Sequence, residues 1–277
     1  GGMSVKEKQK VLDGIKEGKI DVVVGTHALI QDSVSFDKLG LVITDEQHRF
    51  GVRQRALLSA KGENPDMLVM TATPIPRTLS LIVYGDLDVS IIDEMPPGRK
   101  KTETYFIDSA KKERLMNFVK NGLDEGRQAY FVCPLVEESD KLELKSAIEY
   151  SEELKNKYFR NYNVGLLHGR MKADQKNEVM YRFREKEIHI LVSTTVIEVG
   201  VNIPNAAYMV IEDADRYGMA QLHQLRGRVG RGEHQSYCIL ISDTGNEIAQ
   251  ERLKYMTKTE NGFEIAEKDM EFRGSGE

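Results

Sequence analysis

The sequence contains little cysteine and no long hydrophobic run. Cys133 and Cys238 are the two cysteines among its 277 residues, and each lies inside a short apolar segment. Two buried thiols in a reducing compartment fit this placement better than a disulfide or a metal site. No apolar stretch approaches the roughly 20 residues that span a bilayer, and no charged and then apolar secretory leader is present. We therefore expect a cytoplasmic protein that makes no contact with a membrane.

An excess of positive charge is also lacking. The 39 lysines and arginines are outnumbered by 44 aspartates and glutamates, so the formal net charge is −5. Domains that bind nucleic acid through a broad electrostatic footprint are basic, so any such surface on this chain must be a local one. The hydrophobic content of 40% and the charged content of 30% are ordinary for a globular protein, and the length suffices for two domains.

Short apolar runs alternate with amphipathic segments along the chain. Several runs are continuous stretches of valine, isoleucine and leucine, as in strands that are covered on both faces. The alternation predicts an α/β protein with parallel sheets flanked by helices. The predicted helices are residues 5–17, 111–124, 143–159 and 173–184. The predicted strands are residues 22–24, 41–43, 68–70, 89–92, 105–107, 129–133, 164–167, 190–192, 208–211 and 237–241.

A segment rich in proline and cations divides this pattern. Residues 95–101 read Met-Pro-Pro-Gly-Arg-Lys-Lys, which can continue neither a helix nor a central strand. We place a linker at residues 96–103, between a first domain at 1–95 and a second at 104–258, with residues 259–277 after it. The second domain has five or six predicted strands and the first has about four. The first sheet is therefore expected to be incomplete.

Two adjacent carboxylates follow one of the predicted strands. Asp45 and Glu46 come just after the apolar run at residues 41–43. In open α/β sheets, ligands bind at the carboxyl ends of the strands. A carboxylate there can hold the Mg²⁺ of a nucleotide, and its neighbour can orient or deprotonate an attacking water. Taken alone, a solvated acidic loop is the better explanation of the pair, and His48 would be an ordinary turn histidine.

Hydroxyl or basic residues follow three further predicted strands. Hydroxyls and backbone N–H groups at a strand-to-helix turn suit contact with phosphate. Threonines at such turns also cap helices, so capping accounts for them without any ligand. For the basic segment, phosphate contact and a plain loop are equally good explanations. The residues concerned are Thr71 and Thr73, Thr194 and Thr195, and His168 with Arg170.

The segment from Gln224 to Arg231 carries two arginines between glycines. In a helix, Gln224, Arg228 and Arg231 would lie at i, i+4 and i+7, on one stripe. Gly227 and Gly230 would each weaken that helix by roughly 1 kcal/mol relative to alanine, which suggests close approach of another segment or a ligand. Guanidiniums presented in this way suit the stabilisation of charge in phosphoryl transfer. A basic surface helix is the simpler alternative, but we favour the functional interpretation.

In this order, the segments resemble the motor core of superfamily-two helicases. Asp45-Glu46-Gln47-His48 resembles the Walker B motif and Thr71-Ala72-Thr73 the coupling motif, while residues 194–200 and 224–231 resemble signature motifs of the second RecA-like domain. Longer stretches resemble the RecG family of ATP-dependent DNA helicases, which remodel stalled forks and branched DNA. The Mfd family of transcription-repair translocases shares part of this pattern, but Pro-Pro-Gly-Arg in the linker and Glu-Glu-Ser at 137–139 favour the RecG family. The stretches are residues 45–52, 71–78, 84–88, 93–99 and 133–139.

The resemblance implies a site for ATP and Mg²⁺ between two RecA-like domains, with branched or duplex DNA as the partner. Asp45 would hold the Mg²⁺ ion and Glu46 would activate water. Arg228 and Arg231 would stabilise charge on the phosphoryl group. ATP binding and its coupling to DNA would involve His48, Thr71, Thr73, Glu198, Gly200 and Gln224. DNA would be contacted near Thr26, His27, His168, Arg170, Thr194 and Thr195.

Parts of the family pattern are missing from these residues. No Gly-x-x-x-x-Gly-Lys-Ser/Thr phosphate loop or wedge domain occurs, and the translocation motif that begins at Glu271 stops at residue 277, with Ser275 where proline is usual. We therefore expect a piece of such a motor, with an incomplete first RecA-like domain and no intact ATPase of its own. Two alternatives stay open: an Mfd-type translocase, and a RecA-like scaffold that binds nucleic acid without hydrolysis. The retained Asp45, Glu46 and two arginines argue against the scaffold.

Overall fold

Two units make up the chain. The computed structural model describes residues 3–46, 52–71, 88–92, 94–95, 98–133, 140–194 and 203–274. Contacts within the chain separate Gly1–Thr73 from Pro74–Glu277. The predicted linker and the domain limits beside it stay predictions. No helix within the described ranges is both long enough and apolar enough to cross a bilayer.

The first unit begins with a capped helix and contains a pair of parallel strands. Helix α1 spans Val5–Lys16 and begins at Ser4, whose hydroxyl accepts a hydrogen bond from the Glu7 backbone N–H while the Glu7 carboxylate accepts one from the Ser4 N–H. A short 3₁₀ turn, strand β1, helix α2 and strand β2 follow. Their bounds are His27–Ile30, Leu41–Thr44, Val52–Ser59 and Asp66–Val69.

One face of this small sheet is apolar and exposed. Leu41 and Ile43 on β1 are 54% and 56% exposed, whereas Val42 between them is buried. The strand predicted at residues 22–24 is wrong, because these residues have no regular structure, and Val24 is 93% exposed. An apolar run forms a strand only when another strand supplies hydrogen bonds to it.

The second unit is built on a six-stranded parallel sheet. Its strands are β3 (Glu103–Ile107), β4 (Gln128–Val132), β5 (Val164–Leu167), β6 (Ile190–Ser193), β7 (Ala206–Ile211) and β8 (Tyr237–Ile241), in the order β3-β8-β7-β4-β6-β5. All neighbours are parallel, so the carboxyl ends of all six strands share one edge. The helices are α3 (Lys112–Asp124), α4 (Asp140–Glu153), α5 (Ala173–Arg184), α6 (Met219–Arg226), α7 (Glu247–Met256) and α8 (Gly262–Gly274).

Helices cover both faces of this sheet, which explains its uninterrupted apolar strands. Helices α3 and α4 pack with Phe131, Val192 and Val210 on one face. Helices α5 to α8 pack with Tyr130 and Met209 on the other. The α/β class with parallel sheets and flanking helices is therefore confirmed. The buried positions of Cys133 and Cys238 are also as predicted, and burial raises the pKa of the Cys238 thiol to about 12.

The predicted elements of the second unit are found with small shifts. The helix predicted over residues 143–159 is α4 followed by a π-helical turn at Leu154–Tyr158. The strand predicted at 89–92 is wrong, since these residues have no regular structure and Ile92 is fully on the surface. All other predicted strands of the unit are present.

Candidate functional site

The carboxylates and Thr71 lie at the same edge of the first unit's sheet. Thr44, the last residue of β1, is in register with Val69, the last residue of β2. The Met70 N–H then donates to the Thr44 carbonyl over 2.8 Å, which carries the pairing one residue further. Asp45 and Glu46 therefore leave β1 beside the point where Thr71 leaves β2. His48 and Thr73, which were predicted to act with them, lie outside the described residues.

The turn after β1 is strained. Glu46 has a φ of 52°, a left-handed value that is unusual for a residue other than glycine. The Asp45 carboxylate accepts the Glu46 backbone N–H over 2.8 Å, which supports this conformation. Asp45 remains exposed, so its other oxygen is accessible to a hydrated cation. Strain at a strand end beside an exposed carboxylate is typical of functional sites.

Thr26 and His27 lie at a separate turn of the first unit. Thr26 precedes the 3₁₀ turn and accepts the Leu29 N–H at its carbonyl over 3.0 Å, while its hydroxyl makes no capping hydrogen bond. Both residues are exposed. His27 also lines an open groove of about 430 Å³ together with Ile30, Gln31, Asp32 and Gln54.

In the second unit, His168 and Thr194 meet at the carboxyl edge of the sheet. Leu167 at the end of β5 is in register with Ser193 at the end of β6, and the Thr194 N–H donates to the Leu167 carbonyl over 3.3 Å. Thr194 is only 3% exposed. Burial, and then the charges of Lys176 and Arg170, lower the pKa of His168. The imidazole is therefore neutral near pH 7, and the positive charge at this edge comes from its neighbours.

Arg170 follows His168 in the turn after β5. It is exposed, as is Gly169, whose carbonyl accepts a hydrogen bond from the Lys176 ammonium over 2.9 Å. Two cations thus lie close enough to the turn after β5 to act on His168. Thr195, Glu198 and Gly200, predicted to lie near this edge or to contact ATP, lie outside the described residues.

The arginine segment is not the continuous helix that its spacing suggested. Helix α6 ends at Arg226, so Gln224 is helical but Arg228 and Arg231 are not, and the three do not form a helical stripe. After Arg226 the N–H groups of Arg228 and Val229 donate to carbonyls three residues back, which ends the helical pattern, and Gly230, with a φ of +74°, then turns the chain before Arg231. A Cβ atom on Gly230 would also lie 2.7 Å from the Ser236 hydroxyl and 2.8 Å from that of Thr102.

We call residues 227–232 the arginine loop. The N–H groups of Arg228 and Val229 donate to the carbonyls of Leu225 and Arg226, so the loop is fastened to the end of α6. Thr102 and Ser236, which pack against Gly230, directly precede β3 and β8. The arginine loop therefore lies at the amino edge of those strands. His168 and Thr194 lie at the opposite, carboxyl edge.

Three guanidiniums gather at the arginine loop. The Arg99 Nε–H donates to the Gly230 carbonyl over 3.1 Å, and the Arg231 Nε–H donates to the Gly227 carbonyl over 3.0 Å. Burial, followed by the positive charges of Arg228 and Arg99, lowers the pKa of Arg231. Across the described ranges, none of the three arginines forms an ion pair with a carboxylate. An uncompensated cationic cluster of this kind suits an anionic ligand with several oxygens.

Arg226 belongs to the same motif but has a structural role that the sequence prediction missed. Its side chain is 3% exposed, and one Nη donates to the carbonyls of Met256 and Thr259 over 2.9 Å each. The other Nη donates to His223 Nδ1 over 3.0 Å. Arg226 follows Met219 by seven residues and Leu222 by four, and both are buried. This apolar spacing was a signal that the side chain points into the core.

Known protein families match both units. The model for DEAD/DEAH box helicases matches residues 1–82, and the model for the helicase conserved C-terminal domain matches residues 110–233. Named relatives include the ATP-dependent DNA helicase RecG of Bacillus subtilis, 56% identical over 98% of this chain and 40% of the relative. The RecG of Thermotoga maritima is 53% identical over the whole chain and 36% of the relative. The chain thus spans about two fifths of the length of these relatives.

Solved structures give the same result. A RecG bound to a three-way DNA junction superposes with a TM-score of 0.79 and 49% identity, over the whole of this chain and 36% of that one. The helicase Lhr of Mycobacterium smegmatis, bound to single-stranded DNA and AMP-PNP, superposes with a TM-score of 0.64 over 92% of this chain and 36% of that one. At 15% identity, the second match concerns the fold alone. The resemblance to the RecG family that the sequence motifs indicated is confirmed.

Proposed function

The chain belongs to the RecG family of DNA helicases, and on this basis we propose that its residues form part of a motor that couples ATP hydrolysis to the remodelling of branched DNA. The curated RecG relatives, named as ATP-dependent DNA helicases, support ATP as the fuel. The relative solved with a three-way DNA junction supports branched DNA as the substrate. The RecG names over the whole chain favour this function over an Mfd-type translocase.

The observation that carries the proposal is the cluster of Arg99, Arg228 and Arg231. Three guanidiniums placed together without carboxylate partners in the described residues repel one another, and a polyphosphate relieves that repulsion. Planar guanidiniums bind phosphate oxygens through paired hydrogen bonds. In the proposed motor, Arg228 and Arg231 neutralise charge that develops on the transferring phosphoryl group. A scaffold that only binds DNA would not need a second cationic cluster at the edge of the sheet opposite the one assigned to DNA contact.

In the proposed motor, the turn after β1 in the first unit supplies the carboxylates that bind Mg²⁺ and orient water. Asp45 is accessible and would hold Mg²⁺, which neutralises phosphate oxygens when bound. Glu46 follows it and orients the attacking water. We assign ATP binding and the coupling between nucleotide and DNA to residues of both units, as the resemblance to the family implies. The coupling residues are His48, Thr71, Thr73, Glu198, Gly200 and Gln224.

DNA contact is assigned to polar groups at the other turns. His168 is neutral near pH 7, so it serves as a hydrogen-bonding group, and Arg170 supplies charge for a phosphate. Thr26 and His27 are exposed, which suits contact with a backbone phosphate. The Thr194 hydroxyl is buried, so its contact with DNA requires its surroundings to open. Thr195 completes the proposed set.

ATP turnover in a chimera tests the proposal. The matching region of B. subtilis RecG is replaced by these residues, and ATPase is measured with and without a three-way DNA junction. We expect the chimera to hydrolyse ATP in response to DNA, and Glu46→Gln or Arg231→Ala to lower turnover by about 10³-fold, the scale of a lost arginine finger. The 277-residue polypeptide alone, which contains no phosphate loop, is expected to give no turnover.

Matched controls make the outcome decisive. Arg114→Ala removes one exposed cation from α3 of the same unit and should leave turnover unchanged. Turnover by the 277-residue polypeptide that disappears in Glu46→Gln would contradict the proposal, because it would reveal a complete site without a phosphate loop. An active chimera that is indifferent to Arg231→Ala would remove the arginine loop from the mechanism.

A further inference from the structure

The segment that precedes β3 is fastened to the arginine loop and its continuation at several points. The Thr102 and Ser236 hydroxyls are hydrogen-bonded over 3.0 Å and both residues are buried. The Gln235 amide donates to the Lys101 carbonyl over 2.7 Å, and the Glu103 N–H donates to the Ser236 carbonyl over 3.0 Å. These contacts join residues 101–103 to residues 235–236, just after the loop. They fix the path of the chain that leads back to residue 99.

Arg99 is the member of this segment that reaches the arginine loop itself. Its Nε–H donates to the carbonyl of Gly230, the residue whose left-handed backbone turns the chain between Arg228 and Arg231. Arg99 is half-buried, and its charge acts on Arg231. The Gly230 carbonyl lies outside the hydrogen-bond pattern of α6, because that helix has already ended at Arg226. Without Arg99, this hinge of the loop would lose its side-chain anchor.

We propose that Arg99 is a positioning residue, which holds the Gly230 carbonyl and thereby fixes the directions in which Arg228 and Arg231 are presented. The role rests on the proposed function of the loop in phosphoryl transfer. Groups that stabilise developing charge must be held within about 0.5 Å of their productive position, and loops rarely achieve this without supporting hydrogen bonds. The charge of Arg99 adds to the repulsion that Arg231 experiences, so the positioning role rests on the hydrogen bond from its Nε–H to the Gly230 carbonyl.

Three substitutions separate the hydrogen bond of Arg99 from its charge. In Arg99→Gln, the amide nitrogen is as many bonds from the backbone as Nε is in arginine, so the donor is kept and the charge is lost. Arg99→Met keeps the aliphatic stem and loses both. Arg99→Lys keeps the charge and moves the donor one bond outward. Arg114→Met, on the exposed face of α3, is the matched control for the loss of one cation.

Amide hydrogen exchange of the 277-residue chain measures how firmly the arginine loop is held, and it does not require catalytic activity. The reporters are the amides of Arg228 and Val229, which donate to carbonyls of α6, and the reference amides are those of β7 and β8. In Arg99→Met, the loop amides should exchange about tenfold faster, as for the loss of one hydrogen bond from a charged donor, while the reference amides stay unchanged. Arg99→Gln should retain most of the wild-type protection.

The ATPase rates of the same variants in the chimera then test whether the position of the arginine loop affects turnover. Arg99→Met should lower kcat by about 10- to 100-fold with little change in the KM for ATP, and Arg99→Gln should recover most of this loss. Loop amides in Arg99→Met that exchange at the wild-type rate would overturn the proposal. A kcat as low in Arg99→Gln as in Arg99→Met, together with a normal kcat in Arg99→Lys, would also overturn it, because charge alone would then matter. Loss of the reference protection in all three variants would make Arg99 part of the core, which also overturns it. An inactive wild-type chimera would count against the proposed function and leave the exchange result to decide the role of Arg99.

Discussion

Replacing Arg226 and Arg231 in turn by methionine compares two arginines that are five residues apart and differ in almost every contact. Arg226 is buried and donates to two backbone carbonyls, the Thr104 hydroxyl and an imidazole nitrogen. Arg231 is exposed, and its Nε–H donates a hydrogen bond to the Gly227 carbonyl at the surface. Methionine keeps much of the aliphatic volume in both cases. The comparison therefore isolates what the two guanidiniums contribute to stability.

The expected magnitude for Arg226 follows from the groups left behind. The carbonyls of Met256 and Thr259 would lose their donor, and each unsatisfied buried group costs about 1–3 kcal/mol. Relief from burying a guanidinium without a salt bridge offsets part of this cost. We expect a net loss of about 2–4 kcal/mol in the free energy of unfolding. For Arg231, whose single hydrogen bond is at the surface, we expect a loss below about 1 kcal/mol.

Tyrosine fluorescence during urea unfolding can measure this on the intact chain. All eleven tyrosines lie at residue 84 or later and there is no tryptophan, so the signal reports on the second unit, Pro74–Glu277. With a urea slope of about 1–3 kcal/mol per molar, the midpoint should fall by about 1–2 M for Arg226→Met and by much less for Arg231→Met. The slope itself should not change.

Two results would refute this reasoning. A wild-type midpoint for Arg226→Met would mean that its four hydrogen bonds are replaced by water at no cost, so the side chain would not be the core element described above. An equally large fall for Arg231→Met would mean that the arginine loop is part of the folding core. Arg231 could then not be reserved for a phosphate.

Two further predictions concern pH and local stability. Burial lowers the pKa of His223 from 6.5 to about 4. As pH falls, the unfolded chain therefore binds the proton before the folded chain does. The contribution of His223 to the free energy of unfolding is complete above about pH 6.5 and should be lost towards pH 4, by up to roughly 3 kcal/mol. The urea midpoint at pH 7.5 and pH 4.5 measures this, and His223→Gln should remove that part of the pH dependence; an unchanged dependence would contradict the assignment to His223. In hydrogen exchange, the amides of β1 should exchange at least about a hundredfold faster than those of β6, because Ile43 is 56% exposed and Val192 is fully buried; better protection of β1 would show that the first unit is the more stable one.

Most of the second unit could be predicted from the sequence because its sheet is covered on both faces. Such strands must be continuously apolar, and runs like Ile190–Ser193 then stand out from amphipathic helices. The same logic failed at residues 22–24 and 89–92. An apolar run indicates only that its side chains are to be buried. Whether it forms a strand depends on a neighbouring strand, and the local sequence does not show where that strand is.

The candidate site was predictable where it depends on strand ends and not where it depends on distant pairing. Parallel strands place their carboxyl ends on one edge, so Asp45 with Thr71, and His168 with Thr194, could be expected to lie close together. The conformation of the arginine loop depends on Gly230 packing against Thr102 and Ser236. The hydrogen bond from Arg99 to Gly230 spans 131 residues. No spacing within either segment indicates these contacts.

The position of β3 in the sheet has a consequence for how the protein is made. Strand β3 is an edge strand whose neighbour is β8, and the residues that open these two strands, Thr102 and Ser236, are 134 positions apart in the chain. During synthesis from the amino terminus, residues 99–107 must therefore wait unpaired until β8 has left the ribosome. Closing so long a loop is slow, as in other parallel sheets.

Arg99 reaches Gly230 through this same segment, so the arginine loop acquires its anchor among the last events of folding. A nascent second unit already possesses Arg228 and Arg231, but it cannot yet hold them in a fixed direction. The order of assembly thus delays the phosphate-facing geometry until the sheet is complete. Until β8 has emerged, the edge of β7 that it will cover is also available to other chains, which makes this interval the one in which mispairing is most damaging.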